Sequence, residues 1–231
     1  MGENPHEGHR ERVKQRLLRE GMDHFEDHQK LELLLFYGIP RRDTNELAHR
    51  LMDTFGGFSA VLDATYEELM GVKGMTHQAA VLLMAMRGAV CAYLKDRSAP
   101  GTQLTDTETV GRYLLPQFLG RRNETVILVC LDGRGRVINS SVIFEGSVNT
   151  TEISLRLILE KALLHHASAV ILAHNHPNGF AIPSQADVQT TAHVVSRLAD
   201  LNIQVLDHIV VAGEDFVSMR DSRSYASIFQ G

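Results

Sequence analysis

The run Ala169-Val170-Ile171-Leu172-Ala173-His174-Asn175-His176-Pro177-Asn178-Gly179-Phe180-Ala181-Ile182-Pro183-Ser184-Gln185-Ala186-Asp187 decides how this chain is read. Its first five residues are uninterrupted and apolar, the pattern of a buried strand. Pro177, Asn178, Gly179 and Pro183 then break the pattern into a loop. Ser184 stands where a helix N-cap belongs, and a helix is expected from there to Leu201. His174 and His176 are two residues apart, so in an extended strand both imidazoles project from one face and Asn175 from the other. The loop that follows is expected to leave both rings exposed. Asp187, in the first helical turn, can aim its carboxylate back at the strand end. Two imidazoles and one carboxylate are three protein ligands, which leaves the fourth tetrahedral position to water, as in a catalytic zinc site. Ser184-x-x-Asp187 also satisfies a plainer reading as a helix cap. The two uses coexist, because a capped helix start holds the carboxylate in place.

Upstream, Thr125-Val126-Ile127-Leu128-Val129-Cys130-Leu131 is a second apolar strand, Asp132-Gly133-Arg134-Gly135 a hairpin turn, and residues 137–144 the returning strand. A helix is expected from Thr150 to about His165, and strands over residues 204–211 and 216–218. A hairpin followed by strands alternating with helices implies a mixed sheet with helices packed on it. Residues 9–95 read differently, as helices throughout. Val13, Leu17 and Leu18 recur at helical spacing, and Leu31, Leu33, Leu34, Leu35 and Phe36 form a buried segment ended by Gly38 and Pro40. Asp43-Thr44-Asn45-Glu46 opens a helix closed by Gly56-Gly57, and Thr65-Tyr66-Glu67-Glu68 is a capping box ahead of a short helix ending at Gly71. A long helix follows from Thr76 to about Leu94. Lys95 to Thr102 is polar and contains Pro100-Gly101, a linker signal. The expected organisation is α+β, with an all-helical domain over residues 1–100 and a mixed α/β domain over 101–231.

Composition narrows the possibilities. Hydrophobic content of 44% and charged content of 22% suit a globular protein with a real core. A formal net charge of −5 argues against a chain built to coat nucleic acid or an anionic membrane. Cys91 and Cys130 lie alone in apolar stretches and read as buried reduced thiols rather than zinc ligands. Met1-Gly2-Glu3-Asn4-Pro5-His6 shows no secretory leader, and no uninterrupted run approaches the length of a membrane span. A cytoplasmic location without membrane association is expected.

His174-x-His176, seven residues, then Ser184-x-x-Asp187 resembles the JAMM motif of MPN-domain metalloproteases. The wider chain resembles the bacterial RadC family, also called UPF0758. That likeness is carried by the helical N-terminal segment, the strand over residues 124–132, His174-Asn175-His176-Pro177, Pro183-Ser184, Asp187 and Asp207-His208-Ile209. The resemblance implies an MPN fold and a bound zinc ion, with a glutamate at the start of the first central strand that deprotonates water. Glu124 occupies that place, with Glu145 at the end of the next strand as the competing choice. It also implies that Ser184 hydrogen-bonds the carbonyl oxygen as charge develops there. The implied activity is that of a zinc-dependent hydrolase, a peptidase or isopeptidase with a protein or peptide substrate.

Two features depart from the family pattern: Asn178 stands where serine is usual, and residues 151–156 lack the usual Pro-Arg-Glu. Asp207-His208 reads as a pair supporting the site or the fold rather than as a further ligand. His165 and His166 close a helix, where a cation suits the dipole. Two alternatives remain at this point, a DNA-associated protein with a non-catalytic metal site and a metal-dependent nuclease. Leu69-Met70-Gly71-Val72-Lys73-Gly74-Met75 looks like a helix-hairpin-helix, a backbone phosphate-binding turn. However, Thr76 replaces its usual second glycine, and residues 1–97 hold 13 Lys and Arg against 15 Asp and Glu, a net of −2. Phosphate binding usually needs a basic footprint.

Overall fold

The structure, a computed structural model, describes residues 7–97, 100–146, 155–177 and 179–229. The expected helix start at Thr150, most of the residues 151–156 and Asn178 therefore lie outside the described residues. The chain divides into two compact units, Met1–Ala92 and Tyr93–Gly231.

The first unit is helical. Its elements are α1 (Glu7–Glu20), α2 (Asp27–Gly38), α3 (Asn45–Phe55), α4 (Phe58–Asp63), α5 (Tyr66–Met70) and α6 (His77–Arg97), whose last turns pass the division. Leu31 and Leu35 of α2 meet Leu47 and Leu51 of α3, Val61, Leu69, and Ala79, Ala80 and Leu83 of α6 in one core. Gly38 permits the closest of these approaches, since a Cβ there would lie 2.6 Å from Ala79 Cα. Gly56 takes a left-handed φ of 89° and ends α3 where the sequence reading ended it. Thr65 and Glu68 form the expected reciprocal cap of α5. Thr76, which replaces the hairpin glycine, accepts the Ala79 N–H and so caps α6. The six-residue α4 escaped the sequence reading because so short a helix shows no periodicity.

One expectation needs correction at α6. The helix continues through Lys95-Asp96-Arg97, where a linker was expected, because Lys and Arg propagate a helix well. The window His77–Leu94 is also long and apolar enough to cross a membrane, at mean hydropathy 1.2, by length and composition alone. No uninterrupted apolar run in that window approaches a membrane span, since Arg87 breaks it. Ala79, Ala80 and Leu83 of that window are committed to the core of the first unit.

The second unit starts with α7 (Thr107–Phe118), which the sequence reading missed. Pro116 stands inside its last turn, where a proline commonly ends a helix. The available signals were the reciprocal cap of Asp106 with Thr109 and the Val110, Tyr113, Leu114 spacing. There follow β1 (Glu124–Leu131), β2 (Val137–Gly146), α8 (Leu155–Leu164), β3 (Ala169–Asn175), α9 (Gln185–Ala199), β4 (Gln204–Ala212), β5 (Asp215–Ser218) and a 3₁₀ turn over Ala226–Phe229. The sheet has the order β2-β1-β3-β4-β5 and is mixed: only β3 and β4 run parallel.

Both faces of the central strands are covered, which explains their continuous apolar runs. Ile127, Val129, Leu131, Ile171 and Ala173 pack on one face with Val110 and Leu114 of α7. Val126, Leu128, Cys130, Val170 and Leu172 pack on the other with Ile158 of α8 and Val194 and Leu198 of α9.

Two outcomes follow from this packing. A Cβ at Gly111 of α7 would lie 2.2 Å from the Phe216 ring of β5. Gly111→Ala is expected to destabilise the fold by about 1–3 kcal/mol through overpacking, read as a lower denaturant midpoint. Burial pushes the Cys130 thiol up to about 11, against a weaker pull from Lys161. At pH 8 only about one molecule in a thousand then carries that thiolate. A thiol reagent should titrate at most one cysteine in the native chain and both after denaturation.

Candidate metal centre

The site forms where β1 begins and β3 ends, beside the first turn of α9. In the antiparallel pairing Val126 faces His174, and continuing that register by two residues puts Glu124 opposite His176. Directly opposed residues share a face of the sheet, so Glu124, His174 and His176 point the same way. Glu145 pairs with Thr125, one residue out of phase, so its side chain belongs to the other face. Its carboxylate is held by Arg121 at 2.8 Å. Asn175 also points away and straps the two strands: its amide oxygen accepts the Thr125 N–H at 2.8 Å, and its amide nitrogen donates to Asn123 O at 3.3 Å.

Asp187 comes from α9. Ser184 caps that helix by accepting the Asp187 N–H at 3.2 Å, while its own N–H and hydroxyl both donate to Asp187 Oδ2 at 2.7 Å. The cap therefore holds the carboxylate over the strand ends, and the two readings of Ser184-x-x-Asp187 are one piece of geometry. His174 Nε2 lies 3.0 Å from His176 Nε2 and 3.3 Å from Asp187 Oδ1, and His176 Nε2 lies 3.7 Å from Asp187 Oδ2. One ligand atom each from Glu124, His174, His176 and Asp187 can be chosen with all four within 4.8 Å of one another. Ligands about 2.0–2.1 Å from a tetrahedral ion stand roughly 3.3 Å apart, close to the 3.0 and 3.3 Å that separate His174 Nε2 from His176 Nε2 and Asp187 Oδ1. Glu124, His174 and Asp187 are buried. The donor set fits a divalent cation.

The exposure expected for both rings holds for one only. His176 keeps 23% of its side chain exposed, but His174 is only 1% exposed. Burial arises because α9 and β4 close over the strand end, which a local reading of the loop could not register. Behind the rings stand two partners: the Phe180 carbonyl, which the sequence did not indicate, and His208, expected as a supporting residue. His176 Nδ1 lies 3.0 Å from Phe180 O, within the following loop. His174 Nδ1 lies 2.8 Å from Nε2 of His208, a fully buried residue of β4. Asp207 does not reach the rings. It accepts the His208 and Arg220 backbone N–H groups and the Ser218 hydroxyl.

The electrostatics are those of a strongly coupled cluster. Burial pushes the Asp187 carboxyl up, but His174, His176 and Ser184 together outweigh it and hold it well below the usual carboxylate range. The Asp187 carboxylate raises His176, against a smaller opposing effect of burial, with help from Phe180 O and Glu124. Burial lowers His208 to about 3 and keeps it neutral.

Residues 104–224 match the RadC-like JAB domain, and residues 7–81 match the UPF0758 N-terminal family. UPF0758 proteins of Vibrio atlanticus and Nitrosococcus oceani are each 34% identical to the chain. They span 90% and 91% of it and 93% and 94% of their own lengths. A UPF0758 protein of Vibrio parahaemolyticus is 33% identical over 208 residues. The chain belongs to the RadC (UPF0758) family. Its second unit is a JAB, or MPN, domain, and the helical first unit carries the family's N-terminal region.

Within this RadC chain, Thr191 is the site-supporting residue that reading the motif alone missed. It sits four residues after Asp187, one helical turn along the same face, which was the one signal available.

The paired shifts set a pH window for the metal-free chain. Asp187, depressed in the fold, contributes stability above the unfolded value near 4 and loses it as pH falls through the folded value. His176, raised in the fold, contributes below roughly 6.5 and loses that as pH climbs past its raised value. In chelator-treated protein, the stability gap between wild type and Asp187→Asn should be widest from about pH 4 to 6.5 and narrower on both sides. Denaturant midpoints across pH test this, and a gap independent of pH would contradict it.

Proposed function

We propose that this chain is a zinc-dependent hydrolase of the JAMM type that cleaves peptide or isopeptide bonds. The observation that carries the reading is the meeting of Glu124 with His174, His176 and Asp187 on one face, within ligand distance. His174, His176 and Asp187 would hold the ion, and their imidazole-rich set favours zinc over magnesium. Such an ion, when bound, supplies Lewis acidity and acidifies a coordinated water molecule. Glu124 takes the proton from the attacking water and delivers it to the leaving amine. Its place opposite His176 brings it beside the three residues proposed to anchor the ion.

Ser184 would donate a hydrogen bond to the substrate carbonyl as charge builds on its oxygen. Its hydroxyl proton is directed at Asp187 Oδ2, so that role requires the hydroxyl to rotate. The Ser184 backbone N–H, on the same oxygen, then keeps Asp187 in place. Partial exposure of His176 leaves an approach for substrate, while burial of His174 and Asp187 keeps the anchoring ligands dry.

The test uses the full-length chain, its metal content, and libraries of peptides and isopeptides. His174→Ala should lose stoichiometric zinc. Glu124→Gln should retain zinc but lose hydrolysis by about a hundredfold or more, the usual contribution of a general base. A Glu124→Gln protein that retains full hydrolysis removes the proposed role. Cleavage of phosphodiesters, with peptides left intact, would transfer the same residues to a nuclease.

A further inference from the structure

The cluster behind His174 has a direction. Thr191 Oγ1 lies 2.6 Å from the Asp187 carbonyl oxygen and 2.6 Å from His208 Nδ1, and His208 Nε2 lies 2.8 Å from His174 Nδ1. A carbonyl oxygen only accepts, and the threonine hydroxyl has a single proton to give. If that proton went to His208, two oxygens would face each other at 2.6 Å with no hydrogen between them. The hydroxyl must therefore donate to Asp187 O and accept from His208 Nδ1–H. A neutral, fully buried His208 then presents a lone pair at Nε2, which accepts a proton from His174 Nδ1. His174 in that tautomer has a bare Nε2, the atom that faces His176 and Asp187.

We propose that Thr191 and His208 form a one-way hydrogen-bond relay that sets the tautomer of His174 and reserves its Nε2 for the metal. This inference rests on the metal-site reading above. It assigns a task to two positioning residues that touch neither the ion nor the substrate. The backbone is shaped for it. Val170 pairs with Val205 and Ile171 with Asp207, so β4 holds one extra residue at Leu206. Val205 belongs to the core on the α9 face, and Leu206 and Ile209 to the opposite one. Without the bulge, strict alternation from Val205 would turn His208 away from α9. The bulge turns it back toward Thr191 and His174, a re-aiming that bulges commonly perform. Asp207 secures the bulge through Ser218 and two backbone N–H groups. The relay also begins on the backbone of Asp187 and ends on His174, so it ties two of the three ligands to each other.

Two measurements test the relay. Nitrogen-15 spectra of the metal-free wild-type chain at pH 8 should show His174 protonated at Nδ1. Finding the proton on Nε2 with Nδ1 bare would overturn the inference without any substitution. Zinc affinity, measured with zinc ion alone against a chromophoric chelator, should fall roughly 10–100-fold in Thr191→Val, as is usual when a ligand histidine loses its support. His174 should shift to the Nε2–H tautomer in that variant. Thr191→Ser keeps the hydroxyl and should restore both readouts. A merely structural role for Thr191 would lower the melting temperature without changing the tautomer. If Thr191→Val binds zinc as wild type does and keeps the Nδ1–H tautomer, the relay is wrong while the metal site stands. If wild type itself binds no zinc, the metal reading fails, and the tautomer measurement still reports on the relay.

Discussion

The antiparallel register between β1 and β3 is the constraint on which the site depends. Side chains alternate between faces of a strand, so a slip of one residue would send Glu124 to the opposite side from His176. The register is held by burial on both faces at once: Val126, Leu128 and Cys130 are locked against α8 and α9, Ile127 and Val129 against α7. A single methylene in a core is worth about 0.8 kcal/mol, and a slip would displace several whole side chains. Asn175 adds a polar clamp at the same place by bonding both Thr125 N–H and Asn123 O. Strand packing far from any chemistry thus decides which glutamate meets the histidines.

The cluster itself is costly to build. Two buried carboxylates and a buried imidazole lose hydration that their mutual contacts recover only in part. The fold meets this by supplying partners from behind: Ser184 for Asp187, Phe180 O for His176, His208 for His174. Each partner occupies the side of the ligand that faces away from the shared centre. Partners at both Nδ1 atoms and donors on the carboxylate's Oδ2 would serve to orient metal ligands. The strong opposing shifts at Asp187 and His176 express the same arrangement as charge.

The first unit contributes different physics. Its core is made by short helices joined by tight caps, with Gly38 admitting the backbone of α6 and Thr76 capping that helix. The cap shows why a threonine can stand in the glycine's place: its hydroxyl satisfies the Ala79 N–H that would otherwise be orphaned.

Local patterns were enough for a large part of this molecule. Alternation and apolar runs placed all five strands, and turn and cap residues such as Gly56, Thr65 and Ser184 marked helix ends, because those signals act over three or four neighbouring residues. His174, His176 and Asp187 were legible together for the same reason, since one strand, one loop and one cap hold them. Helices without a strong local signature, α4 and the proline-bearing α7, were not. Glu124 could be named only by likeness, and its separation from Glu145 was decided by strand register. Burial of His174, the turning of His208 by a bulge, and the hydroxyl of Thr191 behind it depended on β4 and α9 meeting over β3. Those contacts join residues far apart in the chain, and their geometry exists only once the sheet has closed.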